Sequence, residues 1–190
     1  MDDLGGDVLE LMDSLGVDRF SYAGVSIGGM VGMWLGAHAP DRVARLALVC
    51  TTARFPSPDP WRSRVEQVRA GGTASIADAV VARWFTPPYA EAHPETVRRF
   101  KETLSTVDDE AYVGCCEAIA AMDLTPALPK ITAPVVVVAG ADDLAIPADQ
   151  CAAIAAQIPG ATLTVVPDAA HLANVEQADT VTTILLGHLT

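Results

Sequence analysis

The amino-acid sequence predicts an α/β protein built on a parallel sheet. Segments typical of strands and of helices alternate at both ends of the chain, which is the pattern of a parallel sheet with helices on both faces. One segment, "APVVVVAG" at 133–140, is entirely apolar, as expected for a strand that is covered on both sides. The chain has 190 residues, of which 51% are hydrophobic, so we expect one domain with a sizeable core.

The first part of the chain supplies two helices and two strands. A helix is predicted at 3–15, because apolar residues recur on one helical face and Gly16 suits the C-terminal stop. Those apolar residues are Leu4, Val8, Leu11, Met12 and Leu15. The elements that follow are a strand at 19–25, a helix at Ile27–His38 and a strand at 42–50.

The alternation stops in the middle of the chain. Proline-rich stretches, "RFPSPDPW" and "TPALPKITAP", border a segment that shows helical periodicities and no strand pattern. We interpret residues 56–130 as a helical lid insertion over one end of the sheet. The sheet and its helices then come from 1–55 and 131–190.

The alternation resumes after residue 130. The apolar strand at 133–140 comes first. It is followed by a helix at 149–159, a strand at 161–167 and a closing helix at 174–189. Together with the first part, this gives four strands, each joined to the next by a connection long enough for a parallel crossover.

Charge and cysteine usage exclude several classes of function. Lys and Arg total 12 against 24 Asp and Glu, for a formal net charge of −12. Such a surface repels phosphate backbones and anionic lipids, so we expect neither a nucleic-acid nor a membrane partner. The N-terminus has no signal-peptide pattern and the four cysteines have neither disulfide-framework nor metal-ligand spacing. Reduced thiols in the cytoplasm are the expectation.

A single serine, Ser26, stands at the corner between a predicted strand and a predicted helix in "FSYAGVSIGGM". Gly24 and Gly28 flank it in a G-x-S-x-G pattern. A serine at such a place can be only a helix cap, with the glycines relieving crowding. Where a strand turns directly into a helix, the same pattern is also that of a nucleophile elbow, in which a strained turn lifts the hydroxyl above the sheet.

A base and an orienting carboxylate follow later strands. Serine is a poor nucleophile without a base, and the base needs a carboxylate to orient it. Asp142 and Asp143 follow the strand at 133–140, and His171 follows the strand at 161–167. The carboxyl ends of parallel strands meet at one edge of a sheet. The chain order Ser, Asp, His therefore predicts a catalytic triad, in which only one of the two aspartates can face the histidine.

These motifs make the chain similar to the α/β-hydrolases, and within that superfamily it closely resembles the 3-oxoadipate enol-lactonases of bacterial aromatic catabolism. The closer match lies in "GVSIGGMVGMWLGAHAPDRVARLALVCTTAR", "RWFTP", "CCEAI" and "AAHLANVEQ". The family's catalytic aspartate lies three residues after the glycine that ends its strand, and a proline follows four residues later. In this chain the pattern selects Asp143, followed by Pro147, and leaves Asp142 in reserve.

The resemblance implies a hydrolase that opens the lactone ring of 3-oxoadipate enol-lactone to give 3-oxoadipate, in the beta-ketoadipate pathway. Ser26 would attack the lactone carbonyl, His171 would take its proton and Asp143 would hold the imidazole. The Ile27 N–H would be one oxyanion donor. Such a reaction needs no metal and no organic cofactor.

The substrate of that reaction carries a carboxylate, which an acidic protein must attract locally. The predicted lid contains several arginines, most of which we expect on its polar outer face. Arg64, together with Trp61 and Trp84, is the choice for a substrate-binding group, because one arginine can pair with a carboxylate through two hydrogen bonds.

The resemblance covers the C-terminal two-thirds or so of such a hydrolase. Strands that precede the nucleophile strand in the family, and a loop that supplies a second oxyanion N–H, have no counterpart here. We therefore expect the strand at 19–25 to be an exposed edge through which the chain can self-associate. Two interpretations stay open beside the lactonase: a truncated, catalytically impaired hydrolase-fold protein, and a general carboxylesterase or haloperoxidase-like α/β-hydrolase.

Overall fold

The computed structural model describes all 190 residues and has four strands, each followed along the chain by at least one helix. Before the middle segment the elements are α1 (Asp2–Ser14), β1 (Phe20–Val25), α2 (Ile27–His38) and β2 (Val43–Val49). After it they are β3 (Val135–Gly140), α8 (Ala148–Gln157), β4 (Thr162–Val166), α9 (Ala173–Glu176) and α10 (Ala178–Leu189). All four predicted strands are present, with ends that differ from the prediction by at most two residues.

The middle segment is helical and contributes no strand to the sheet. Its elements are α3 (Asp59–Gly71), α4 (Ala77–Val81), α5 (Pro87–Ala92), α6 (Pro94–Ser105) and α7 (Asp109–Ala121), with short 3-10 helices at Thr73–Ser75 and Thr125–Lys130. The sequence dictates several of the starts: Asp108 accepts a hydrogen bond from the Ala111 N–H at 2.9 Å and so caps α7. Pro87 and Pro94 occupy first-turn positions, where a missing N–H costs nothing.

The sheet is fully parallel, with the strands in the order β1-β2-β3-β4. All six residues of β3 are buried, as its unbroken apolar sequence predicts. The predicted fold class is therefore confirmed. All four strands point their carboxyl ends to the same edge of the sheet, and this edge carries every candidate catalytic residue.

Three groups of buried side chains form the core. One lies between the sheet and the helices α2 and α8, and includes Met30, Leu46 and Ile154. A second lies on the opposite face of the sheet, where Val181 of α10 packs with Val49 and Val138. The third is internal to the middle helices and joins residues such as Val68, Phe85 and Leu104. The middle helices thus have a core of their own.

Three details differ from the sequence expectation or qualify it. The closing helix is broken at Gln177, whose ψ of 51° is not helical, so it divides into α9 and α10. On α1, Leu11 and Leu15 are 54% and 63% exposed, although they share the apolar face with the better-covered Leu4. Strand β1 pairs only with β2 among these residues. Self-association through its other edge stays a prediction.

Candidate active site

Ser26 occupies a strained corner at the end of β1. Its φ of 54° and ψ of −116° lie in a region that non-glycine residues rarely adopt. Neighbouring backbone holds this conformation: the Ser26 N–H donates to Val49 O at 2.9 Å, and the Ser26 carbonyl accepts from the Thr51 hydroxyl at 2.7 Å. Helix α2 begins at the next residue, so the strand turns into the helix within one residue.

The glycines around Ser26 do not all serve the same purpose. A Cβ on Gly24 would lie 2.2 Å from the backbone of Gly28, so only glycine fits there. A Cβ on Gly28 would meet nothing nearer than the Tyr22 hydroxyl at 3.8 Å. Gly29 is the second crowded position near Ser26, because a Cβ there would lie 2.6 Å from Thr51 Cβ. Crowding therefore requires glycine at position 24 but not at position 28.

The first N–H groups of α2 come directly after Ser26 in the chain. Because Ile27 is the first residue of this 12-residue helix, its N–H has no acceptor within the helix. The helix dipole adds partial positive charge at this end. An oxyanion that develops on a group attacked by Ser26 would be stabilised there.

Asp143 and His171 form a buried pair. His171 Nδ1 lies 2.8 Å from Asp143 Oδ2, and the side chains are 7% and 0% exposed. The other carboxylate oxygen, Oδ1, accepts from the N–H groups of Ala145 at 2.7 Å and Ile146 at 2.9 Å. Asp143 is thus held from two sides, and its bond to Nδ1 leaves Nε2 of His171 as the nitrogen free for proton transfer.

The neighbouring carboxylate, Asp142, points elsewhere. It is exposed, and its N–H donates to Ala169 O at 2.9 Å. The structure therefore places Asp143, not the reserve candidate, against His171. The choice of Asp143, which the family pattern indicated, is the one that the geometry supports.

Contacts around Cys50 bring the ends of β1, β2 and β4 together. Cys50 directly follows Val49, the partner of the Ser26 N–H, and its Sγ lies 3.8 Å from the carbonyl oxygen of Ala170, next to His171. Burial and the nearby Asp143 carboxylate raise the pKa of this thiol to about 12. Cys50 is therefore a neutral thiol below the site, between the segments that carry the serine and the histidine.

Two of the three candidate substrate-binding residues lie together. The Arg64 guanidinium lies over the indole of Trp61, 4.8 Å from its centroid, and Trp61 packs edge-on against Phe55 of the loop after β2. Trp84 is not part of this pair: its indole packs edge-on against Phe100, and its carbonyl accepts from the Leu172 N–H at 3.0 Å. The structure thus separates Trp84 from the group that the sequence suggested.

Arg64 is half-buried and has no carboxylate partner among the ion pairs of the structure. Its charge affects the pKa of two groups on α7, the Tyr112 phenol and the Cys116 thiol. Burial raises the pKa of the Tyr112 phenol and, to about 11, that of the Cys116 thiol, and Arg64 opposes both shifts. An unpaired guanidinium on an aromatic ring is suited to bind an anion.

Sequence reasoning missed Glu176. Its carboxylate accepts from the Ala170 N–H, just before His171, and from the backbone N–H and hydroxyl of Thr86 in the middle segment. Glu176 belongs to "AAHLANVEQ" and Thr86 to "RWFTP", two of the stretches that carry the family resemblance, but neither stretch indicates that the two side chains meet. Thr86 is 90 residues away from Glu176, so no local signal could have revealed the contact.

A cavity of about 690 Å³ opens between residues 83–88 and the loops after β3 and β4. Its wall includes Asp143 and Ala170, but neither Ser26 nor His171. It therefore borders the buried pair without containing the serine. Nowhere in the chain do three or more His, Cys, Asp or Glu side chains cluster in a way that could hold a metal ion.

Comparisons with known proteins define the family. The family model described as "alpha/beta hydrolase fold" matches residues 1–178, so the chain belongs to the α/β-hydrolase fold family. It is 37% identical to 3-oxoadipate enol-lactonase 2 of Acinetobacter baylyi over 177 aligned residues. The alignment covers 93% of this chain and 66% of that protein.

Solved structures agree with this assignment. The enol-lactonase from Burkholderia xenovorans LB400 is 40% identical, with a TM-score of 0.95 over 98% of this chain and 71% of that one. A thermophilic esterase from Thermogutta terrifontis is 29% identical, with a TM-score of 0.89 over 96% of this chain and 69% of that one. The chain thus spans about two-thirds of the length of these relatives.

None of its helices is long and apolar enough to cross a membrane.

Proposed function

We propose that the protein is a serine hydrolase that opens the lactone ring of 3-oxoadipate enol-lactone. The observation that carries this proposal is the buried Asp143–His171 pair at the sheet edge to which the strained Ser26 corner belongs. The names of its relatives support the substrate class, because two of those described above are enol-lactonases. On this proposal the protein acts in the cytoplasm, in the breakdown of aromatic compounds.

In this mechanism the Ser26 hydroxyl attacks the lactone carbonyl while His171 Nε2 takes its proton. The carbonyl oxygen becomes an oxyanion beside the Ile27 N–H, and Asp143 stabilises the imidazolium. The ring C–O bond then breaks, and the enol oxygen leaves with the proton from His171. The enol rearranges to a ketone, still tethered to Ser26 through the acyl group. Water, deprotonated by His171, releases the acid and restores the serine.

Substrate recognition rests on charge. The chain has a net charge of −12, so a carboxylate substrate needs a local cation. Arg64, which lacks a carboxylate partner and lies over Trp61, is our candidate for that cation. Trp84 remains a candidate for the apolar wall of the pocket.

The test is a spectrophotometric assay with enzymatically generated enol-lactone. We expect Arg64→Met to raise KM by roughly 10–100-fold, the value of a lost charge-assisted hydrogen bond, with a smaller effect on kcat. Arg62→Met is the matched control, because Arg62 is two residues away, 69% exposed and paired with Asp59. Equal KM values for the two variants would contradict the assignment of Arg64.

A general carboxylesterase is the second candidate, favoured by the similarity to the Thermogutta terrifontis esterase. The two activities differ in their need for a substrate carboxylate. Comparable kcat/KM values for the enol-lactone and for a neutral ester such as p-nitrophenyl acetate would favour the esterase. No turnover of either substrate would favour an impaired hydrolase-fold protein.

A further inference from the structure

The lid residues Trp84, Phe85 and Thr86 (the 84–86 segment) contact the backbone on both sides of His171. On one side, the Leu172 N–H donates directly to Trp84 O at 3.0 Å. On the other side, the contact runs through Glu176: its Oε1 accepts from the N–H groups of Thr86 at 3.0 Å and Ala170 at 3.1 Å. His171 therefore lies between two points at which its loop is fastened to the lid.

Glu176 is the only charged group in this connection, and both oxygens of its carboxylate accept hydrogen bonds. Besides the two N–H groups on Oε1, the Thr86 hydroxyl donates to Oε2 at 2.7 Å. Hydrogen bonds to an ionised acceptor are the strong ones, and three of them from two separate segments fix both segments relative to one carboxylate. Thr86 and Ala170 are 8% and 3% exposed and Glu176 is half-buried, so these bonds are partly shielded from water.

The lid end of the connection is rigid. Phe85 is 5% exposed and packs against Tyr89 and Phe100, within the core of the middle helices. Thr86 also caps α5, where its hydroxyl oxygen accepts from the Tyr89 N–H at 3.3 Å. The core of the middle helices therefore fixes the position of the 84–86 segment. Through its hydrogen bonds, Glu176 fixes the loop between β4 and α9 that carries His171 (the histidine loop) relative to this segment.

We propose that Glu176 is a positioning residue that ties the lid to the histidine loop and thereby keeps His171 aligned between Asp143 and Ser26. This inference rests on the proposed function, in which His171 is the general base. It gives the lid a second role: besides covering the substrate, the lid holds His171 in place through Glu176. Glu176 itself contacts neither His171 nor the reacting atoms in the hydrogen-bonding pattern of the site.

The test measures the rate at which a fluorophosphonate labels Ser26, per folded protein, since this rate depends on the Ser–His pair and not on the natural substrate. We expect Glu176→Met, which has similar length and no acceptor oxygens, to lower the rate by roughly 10²-fold, the cost of a misplaced catalytic group. Glu176→Gln keeps one oxygen for the two N–H groups and should recover most of the rate. Glu91→Met is the control, because Glu91 is an exposed carboxylate on α5 that takes no part in this connection.

A double variant separates positioning from a general loss of stability. In an Asp143→Asn background the orientation of His171 is already lost, so Glu176→Met should then cost little. Additive effects, or a wild-type labelling rate in Glu176→Met, would overturn the inference. Absence of labelling at Ser26 in the wild-type protein would instead contradict the proposed function on which the inference rests.

Discussion

Two neighbouring strands of the sheet, β1 and β2, end in the same unusual backbone conformation but place the next side chain in different surroundings. Ser26 after β1 and Cys50 after β2 both have positive φ, 54° and 45°, although neither is glycine. At Ser26 the chain turns into α2 and the residue remains partly exposed. At Cys50 the chain continues as a loop, and the thiol is completely buried.

The difference shows that surroundings, not the type of atom, decide which group can react. A thiol is intrinsically the better nucleophile, but only as a thiolate. Burial and the Asp143 charge raise the pKa of Cys50 to about 12, so it stays neutral. The serine needs no ionisation of its own, because a base can remove its proton during attack. Asp143, whose charge adds to the effect of burial on the pKa of Cys50, is also the carboxylate that bonds to His171.

The largest expected effect sharpens this double role of Asp143. Asp143→Asn removes the charge that holds the imidazole, and we expect turnover to fall by roughly 10⁴-fold, as in other triads. Asp142→Asn is the matched control and should change turnover only slightly, because Asp142 is exposed and does not contact His171. Steady-state assays of both variants decide the matter, and the reverse ranking would contradict the assignment.

A smaller effect tests why the Ser26 corner is possible at all. In Gly24→Ala the new Cβ would lie 2.2 Å from the Gly28 backbone, which cannot move without shifting α2. We expect the free energy of unfolding to fall by about 3 kcal/mol, the upper end of overpacking costs. Urea unfolding measures it, with Gly28→Ala as the control, since that Cβ meets only the Tyr22 hydroxyl at 3.8 Å. Equal losses in the two variants would show that the corner is not limited by this contact.

The smallest effect concerns Cys50 and pH. The pKa of its thiol rises from 9.0 to about 12 on folding, so above pH 9 the unfolded chain loses this proton while the folded chain keeps it. The free energy of unfolding should therefore fall as pH rises from 9 towards 12, by at most about 1.4 kcal/mol per pH unit for this group. Cys50→Ser should show a shallower decline in urea unfolding at pH 8 to 11. An unchanged slope would contradict the burial of a neutral thiol.

The sequence predicted the features of the molecule that depend on short, continuous stretches of residues. The strands follow from apolar runs, and Ser26, Asp143 and His171 could be placed at one edge because each lies within five residues of the end of a parallel strand. The selection of Asp143 over Asp142 needed the family pattern, since two adjacent carboxylates look alike in sequence. The wholly buried β3 shows how an unbroken apolar run specifies burial on both faces.

Long-range contacts account for what the sequence did not reveal. The crowding at Gly29 comes from Thr51 in the loop after β2, and the carboxylate of Glu176 reaches Thr86, 90 residues away in the chain. The sequence grouped Trp84 with Trp61 and Arg64, but its ring packs on Phe100 and its backbone carbonyl accepts from the Leu172 N–H. Although Trp84, Thr86 and Glu176 lie in stretches that carry the family resemblance, the sequence does not indicate these contacts, because each depends on how separate segments pack.

The central claim is that Ser26, and not the buried thiol beside it, is the nucleophile. Treatment with a fluorophosphonate, followed by digestion and mass spectrometry, measures this directly. We expect one adduct, on Ser26, which disappears in Ser26→Ala and persists in Cys50→Ser. An adduct on Cys50 or on any other residue, or undiminished turnover by Ser26→Ala, would contradict the account.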